Sequence, residues 1–275
     1  MTQLLFNEDC LDTIARMLPS SINLVVTDPP YGISKGKTAI TFKGKRADIQ
    51  QNFGEWDVFE TEDDFIGFTI KWLRAVHRVL KPNHVLCFFW SIKKLSLAER
   101  LIQETGFLLK DYFFKVTSNP CPAFRKAGFW SGVEPVLICQ KVEPCVKSQT
   151  PPFNRDLKGM PNYVRCGVVS GKQRTKHPTQ KPVAVVEPLI TYYSKQEDWI
   201  LDPFMGSGTT GVVCKQWIRN FVGVEKDETY FKIAKDRLNI QEKISFDADI
   251  EIPTTVAELA EKRLEFLDKK GRLNE

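Results

Sequence analysis

The sequence predicts an α/β fold, a mostly parallel seven-stranded sheet with helices on both faces. Three observations carry that prediction. Short apolar runs alternate with segments of helical periodicity along most of the chain, the order that builds βαβ units. The run Ile22-Asn23-Leu24-Val25-Val26-Thr27 is near-continuous and branched instead of alternating, as a strand covered on both faces must be. Asp202-Pro203-Phe204-Met205-Gly206-Ser207-Gly208 lies between a short strand and a helix, where glycines permit a tight turn and the close approach of a ligand.

Leu4-Leu5-Phe6 reads as the first strand, and Cys10 to Leu18 as a helix with Leu11, Ile14, Ala15 and Leu18 at helical spacing before Pro19. Ile22 to Thr27 is the second strand. Residues 32–57 are rich in Gly, Lys, Arg and Gln, lack periodicity, and read as a long basic loop. Glu62 to Val79 is an amphipathic helix that Thr61 or Asp63 can cap. Pro82-Asn83 turns the chain into the apolar strand Val85 to Trp90. Leu95 to Glu104 is a helix with Gly106 as its C-terminal cap. Asp111 to Thr117 and Pro135 to Lys141 are strands on either side of a basic and aromatic stretch, Asn119 to Gly132. Residues 142–177, broken by prolines and glycines, carry no regular pattern. Pro182 to Tyr193 is a helix with proline near its start, Trp199 to Leu201 a strand, Gly208 to Trp217 a helix, Asn220 to Val224 a strand and Asp227 to Leu238 a helix. Val256 to Lys270 is charge-rich and amphipathic, a peripheral helix of a C-terminal segment, 246–275, set apart from the main domain, 1–245.

A chain of 275 residues is long enough for one full α/β domain with insertions. Lys and Arg number 39 against 34 for Asp and Glu, an excess that permits a polyanionic partner without demanding one. Seven cysteines without a CxxC pair, and only three histidines, indicate neither a disulfide framework nor a metal site. Reduced thiols, no secretory signal pattern and no membrane-length apolar run together predict a cytoplasmic protein.

The most informative residues are Asp28-Pro29-Pro30-Tyr31, directly after the second strand. The Asp28 carboxylate can accept one N–H of an amino group, the Pro29 carbonyl can accept the other, and Tyr31 can stack on a flat ring. The second informative set is Asp202 to Thr210 followed by Glu225 at the end of the next strand, where an acid can accept both hydroxyls of a ribose. The GxxxxGK[ST] pattern is absent, and Asp202 would repel a pyrophosphate. An acid there favours a nucleoside with a cationic or zwitterionic tail, such as S-adenosylmethionine. A nicotinamide enzyme needs GxGxxG directly after the strand, which this segment does not supply.

These motifs resemble those of the permuted, beta-class DNA amino-methyltransferases that use S-adenosylmethionine. The family's catalytic tetrapeptide matches Asp28-Pro29-Pro30-Tyr31, and its cofactor loop, Asp-Pro-Phe-x-Gly-Ser-Gly-Thr-Thr, matches Asp202 to Thr210. The block His-Pro-Thr-x-Lys-Pro matches His177 to Pro182, and the early Asp-Cys-Leu segment matches Asp9-Cys10-Leu11. The blocks fall in the order of the permuted class, and the resemblance covers most of residues 3–240.

The resemblance implies a circularly permuted Rossmann-like methyltransferase fold in which residues 1–245 form the catalytic domain and 142–176 a short target-recognition insertion. It implies that Asp28, Pro29, Pro30 and Tyr31 are catalytic, with Tyr31 stacked on a base flipped out of duplex DNA. It implies a cofactor site formed by Asp9, Cys10, Asp28, His177, Thr179, Lys181, Asp202, Pro203, Phe204, Gly206, Ser207, Gly208, Thr209, Thr210, Glu225 and Lys226. In it Asp9 sits near the adenine, Asp202 by the methionine part, Glu225 on the ribose, and Lys181 with Thr179 on the cofactor carboxylate, while Cys10 is a small buried apolar group. Lys35, Lys37, Lys43, Lys45 and Arg46 after the tetrapeptide, and Arg125, Lys126, Arg165, Lys172 and Arg174 later, are candidate DNA contacts. Asp at the first tetrapeptide position is usual for adenine-N6 enzymes of the family. Cytosine-N4 is the alternative, an RNA or nucleotide substrate a more distant one, since either amine fits the same geometry. The family also implies a homodimer, and an enzyme either paired with a cognate restriction endonuclease acting on the same site or of the solitary or phage kind.

Overall fold

The computed structural model of the protein describes residues 1–32, 38–42, 45–49, 57–120, 129–142, 150–157 and 159–240. The candidate contacts Lys35, Lys37, Lys43, Arg125 and Lys126, and the C-terminal helix expected over Val256 to Lys270, lie outside these residues.

The described chain runs β1 (Gln3–Phe6), α1 (Cys10–Arg16), β2 (Ile22–Thr27), β3 (Thr38–Phe42), β4 (Lys45–Ile49), α2 (Glu62–Val79) and β5 (Leu80–Phe89). It continues with α3 (Leu95–Glu104), β6 (Phe107–Thr117), β7 (Val133–Lys141), β8 (Tyr163–Cys166) and α4 (Val183–Tyr193), then β9 (Trp199–Asp202), α5 (Thr209–Gln216), β10 (Asn220–Val224) and α6 (Glu228–Leu238). One sheet has the order β1-β10-β9-β2-β5-β7-β6-β8. Its pairings are parallel except those of β7 with β5 and β6, so β7 alone among the described strands of this sheet runs against the others.

Alternate strand residues feed two cores, which is why the strands read as continuous apolar runs. Phe6, Val25, Leu86, Phe88, Leu201 and Val222 face one way, in a cluster with Ile14 of α1, Trp72 of α2 and Leu101 of α3. Leu5, Leu24, Val26, Cys87, Ile200 and Phe221 face the other way, in a cluster with Leu189 of α4, Val213 of α5 and Ala234 of α6. Helix α2 shows the local logic. Thr61 and Asp64 form a reciprocal capping box, and Phe65, Thr69, Trp72, Leu73, Val76 and Val79 make its buried stripe. Trp72 is fully buried, and its truncation to alanine would cost about 3–5 kcal/mol.

The structure corrects the sequence reading at four places. Among the described residues the sheet has eight strands, not seven, because Tyr163–Cys166 pairs with the edge of β6. Four residues of alternating exposure among glycines and prolines give no signal of their own, so pairing makes this strand. Residues 32–57 are not loop throughout: β3 and β4 pair antiparallel, and Lys45 and Arg46 begin β4. Pro82-Asn83 lies inside β5, as part of an irregularity in its pairing with β2, where Asn83 takes a left-handed φ of 63°. Helix α1 stops at Arg16, short of Leu18. No helix among the described residues is long and apolar enough to cross a membrane.

The strand order places the functional segments. From β2 the sheet extends one way through β5, and from β9 the other way through β10 and β1. The carboxyl ends of β2 and β9 therefore flank a topological switch point, where open α/β sheets bind ligands.

Candidate active site

The β2 and β9 ends carry Asp28 and Asp202, and the two turns are tied together. Thr27 Oγ1 donates to Asp202 Oδ1 at 2.7 Å, and Thr210 Oγ1 from α5 donates to Asp202 Oδ2 at 2.6 Å. The Phe204 N–H adds a third donor at 3.2 Å. Burial pushes the Asp202 carboxyl up to about 6, against the pull of the Thr210 and Thr27 hydroxyls.

A cavity of about 350 Å³ opens along these turns. Asp9, Asp28, Pro30, His177, Thr179, Lys181, Asp202, Ser207, Thr209, Thr210, Glu225 and Lys226 all contribute to its wall, as do Cys10, Pro203, Phe204 and Gly206. Of the expected cofactor residues only Gly208 is off the wall. It has a φ of 76°, and a Cβ there would stand 3.0 Å from the Ala234 Cβ of α6, so its role is to let α5 and α6 close up. Gly206, with φ of 50°, passes against His177, whose Nε2 would lie 2.9 Å from an added Cβ.

Glu225 closes one end of the cavity. Its Oε2 accepts from the Gly206 N–H at 2.9 Å and its Oε1 from the Asp227 N–H at 2.8 Å. Burial raises its carboxyl to about 7. Asp9 caps α1 through the Leu11 N–H and pairs with the exposed Lys226 at 3.3 Å. His177 is neutral, its pKa lowered to about 4 by burial and then by Lys181, and its ring sits edge-on to Tyr230. Arg237 holds the Ser207 carbonyl at 2.7 Å and the Thr209 hydroxyl at 3.1 Å, fixing the turn into α5. Phe59 and Phe68 complete an aromatic wall with Phe204.

A second cavity of about 300 Å³ shares Asp28, Thr179, Gln180 and Lys181 with the first. Its other wall includes Pro29, Tyr31, Asp57, Lys115, Glu134, Val168, Val169 and Arg174. Asp28 thus stands at the wall between two spaces, one rich in acids and aromatic rings, the other reaching a basic rim. Its Oδ1 accepts from the Tyr31 hydroxyl at 2.5 Å, and its Oδ2 pairs with Lys181 Nζ at 2.7 Å. Burial raises the Asp28 carboxyl, and the Lys181 ammonium opposes that.

Lys181, expected at the cofactor carboxylate, lies on the walls of both cavities. Its ammonium is already shared between Asp28 Oδ2 and Glu134 Oε1, the latter at 3.0 Å, and it lies over the Phe89 ring. Burial works against that charge, but the two carboxylates outweigh it and raise the lysine pKa. Glu134 is half-buried, and burial pushes its carboxyl up, yet Lys181 and then Lys115, 3.1 Å from Oε2, hold it well below the usual carboxylate range.

Glu134 and Asp57 were not singled out by sequence. Asp57 Oδ1 accepts the backbone N–H groups of Tyr31 and Gly32, each at 2.7 Å, and so fixes the chain leaving the tetrapeptide. Tyr31 itself packs edge-on to Trp90 with ring centroids 5.9 Å apart. Of the later basic candidates, Arg165 is exposed on β8, Lys172 follows Gly171 in a short 3-10 turn, and Arg174 reaches the second cavity.

The sequence profile of a DNA methylase family, N6_N4_Mtase, matches residues 22–236. The type II methyltransferase M2.DpnII of Streptococcus pneumoniae is 31% identical over 247 residues, 86% of this chain and 90% of that protein. M2.LlaDCHI of Lactococcus lactis subsp. cremoris, also a type II methyltransferase, is 31% identical over 245 residues, 86% of this chain and 89% of that protein. The crystal structure of the M1.HpyAVI–SAM complex superposes with a TM-score of 0.66 at 26% identity, covering 87% of this chain and all of that one. The cytosine-N4-specific PvuII DNA methyltransferase shares the fold with a TM-score of 0.68 at 20% identity, covering 89% of each chain.

Proposed function

The chain belongs to the DNA methylase family, and from that premise we propose that it methylates the N6 amine of adenine in duplex DNA. It is an S-adenosylmethionine-dependent DNA methyltransferase, of a family with relatives that act on adenine-N6 or cytosine-N4. The single observation that supports the assignment of roles is the position of Asp28 at the wall shared by two cavities.

The first cavity suits the cofactor. Its volume falls in the range of small-molecule sites, about 300–1,000 Å³, and it offers an aromatic wall, a carboxylate at Glu225, and a second acid at Asp202. Bound S-adenosylmethionine supplies a methyl group made electrophilic by its sulfonium. We assign Glu225 to the ribose hydroxyls, Asp9 to the adenine end, and Asp202 with the Gly206 turn to the methionine end. Thr179, His177 and the residues of the Asp202 to Thr210 turn shape the wall.

The second cavity is assigned to the target base. Asp28 accepts one amine N–H and the Pro29 carbonyl the other, which directs the nitrogen lone pair toward the first cavity. Positive charge growing on the nitrogen is met by the Asp28 carboxylate. Tyr31 supplies a ring for the base to stack on. Arg174 on the second cavity's wall, with Arg165, Lys172, Lys45 and Arg46, is assigned to DNA phosphates. The family extends the reading to a homodimer, tested by sedimentation, and to a cognate restriction endonuclease, tested by cleavage of unmethylated DNA in extracts.

The deciding experiment is nucleoside mass spectrometry and modification-sensitive sequencing of DNA from cells expressing the wild type or D28A. N6-methyladenine should appear with the wild type, and D28A should lower kcat on the order of 10²–10³-fold. N4-methylcytosine instead would move the target to the other amine. No modified base from the wild type would overturn the reading.

A further inference from the structure

Both oxygens of Asp28 are engaged: Oδ1 by the Tyr31 hydroxyl at 2.5 Å, Oδ2 by the Lys181 ammonium at 2.7 Å. An amine entering the clamp has to displace or share one of these donors. Lys181 can serve two carboxylates at once, having three protons, whereas a tyrosine hydroxyl has one and serves one acceptor at a time. Glu134 Oε1 lies 3.3 Å from that same hydroxyl and 3.0 Å from that same ammonium.

We propose that Glu134 is a positioning residue of the amine clamp: it anchors Lys181 and offers the Tyr31 hydroxyl a second acceptor, so that Asp28 Oδ1 is released to the target amine. The inference rests on the reading of Asp28 as the group that takes the amine N–H. The exchange leaves no buried group unsatisfied. The amine donates to Asp28, the hydroxyl turns to Glu134, and Lys181 keeps both carboxylates in place. Glu134 is held for this from behind, since Lys115 pairs with its other oxygen at 3.1 Å and lies directly opposite it across the β6–β7 ladder. The next residue, Pro135, accepts the Trp90 N–H at the end of β5, which fixes the strand against the sheet.

The groups that face Asp28 are Lys181, Tyr31 and Glu134, with Asp202 across the β2–β9 seam. Glu134 adds a negative charge beside Asp28, which favours the protonated clamp. Neutralising Glu134 should therefore let Asp28 stay ionised to lower pH, a consequence that a merely structural residue would not have.

The test uses the full chain, unmethylated duplex DNA and labelled S-adenosylmethionine, with E134Q, Y31F, their combination and E134D. E134Q should lower kcat on the order of 10–100-fold and shift the acid limb of kcat to lower pH, with calorimetric cofactor affinity unchanged within about twofold. The loss should shrink in the Y31F background, where the exchanging hydroxyl is gone. E134D keeps the charge but shortens the reach, so kcat should fall while the acid limb stays at the wild-type pH, and this variant decides the matter if E134Q does not fold. Wild-type kcat in E134Q or E134D would overturn the proposal. So would a kcat loss that is equal in both backgrounds or that tracks a fall in cofactor affinity. An inactive wild type would instead overturn the methyltransferase reading on which the proposal stands.

Discussion

The Thr27 hydroxyl donates to the Asp202 carboxylate at 2.7 Å, joining two strand ends 175 positions apart in sequence. The bond spans the seam between β2 and β9, with the amine clamp on one side and the glycine turn on the other. Thr27→Val keeps the shape and removes one of three donors from a carboxylate that is only 4% exposed. The expected cost is about 1–3 kcal/mol in urea denaturation, with Thr27→Ser near the wild type. Equal stability of the two variants would show that the hydroxyl is dispensable.

Lys181 is the cation between two half-buried carboxylates, with its own side chain 12% exposed. Lys181→Met should destabilise the protein by about 1–3 kcal/mol, because it takes the cation from Asp28 and leaves Glu134 with Lys115 alone. Adding Glu134→Gln removes one of those two carboxylate charges, so the double variant should be more stable than the sum of the single losses. A strictly additive pair in chemical denaturation would argue that the two side chains act independently.

Glu225 sets two opposite pH dependences. Its carboxyl rises from an ordinary 4.5 to about 7 in the folded protein. The stability it contributes is therefore fully present below about 4.5 and is lost as pH rises through about 7, so the cofactor-free protein should melt earlier at higher pH over that window. Cofactor affinity should move the other way, since ribose hydroxyls donate to the ionised form. Calorimetry should show tighter binding at about pH 8 than at about pH 6, by up to about tenfold, and Glu225→Gln should flatten the trend. Unchanged affinity across that range would remove Glu225 from the ribose.

Gly206 has two reasons to be glycine, a φ of 50° and the His177 ring against its Cα. Gly206→Ala should cost about 1–3 kcal/mol and weaken cofactor binding, because the turn can relax only into the cavity. Adding His177→Ala should recover the part due to the clash and leave the part due to the backbone. Full recovery would assign the whole effect to crowding.

Much of the site was legible before the fold was known. Asp28 and Glu225 each follow a strand and Asp202 ends one, and the turn chemistry of Pro29-Pro30 and of Gly206 and Gly208 is written in adjacent residues. Glu134 and Asp57 gave no comparable signal. An acid between Val133 and Pro135 at the start of a strand resembles any solvated charge, and its pairing with Lys115 depends on β7 running antiparallel between β5 and β6. Tyr163–Cys166 was missed for a related reason, since an edge strand this short exists through its partner.

By itself the sequence determined the two loops, the chemistry each can perform, and the alternation that places both at the carboxyl edge of a parallel sheet. Those features depend on neighbours in the chain, where turn geometry and periodicity are local. Only the tertiary structure decided that β9 lies beside β2, that Asp28 borders two cavities, and that Lys181 pairs with Asp28 and Glu134. Ion pairs and shared walls depend on distances of a few ångströms between distant residues, and strand order sets those distances.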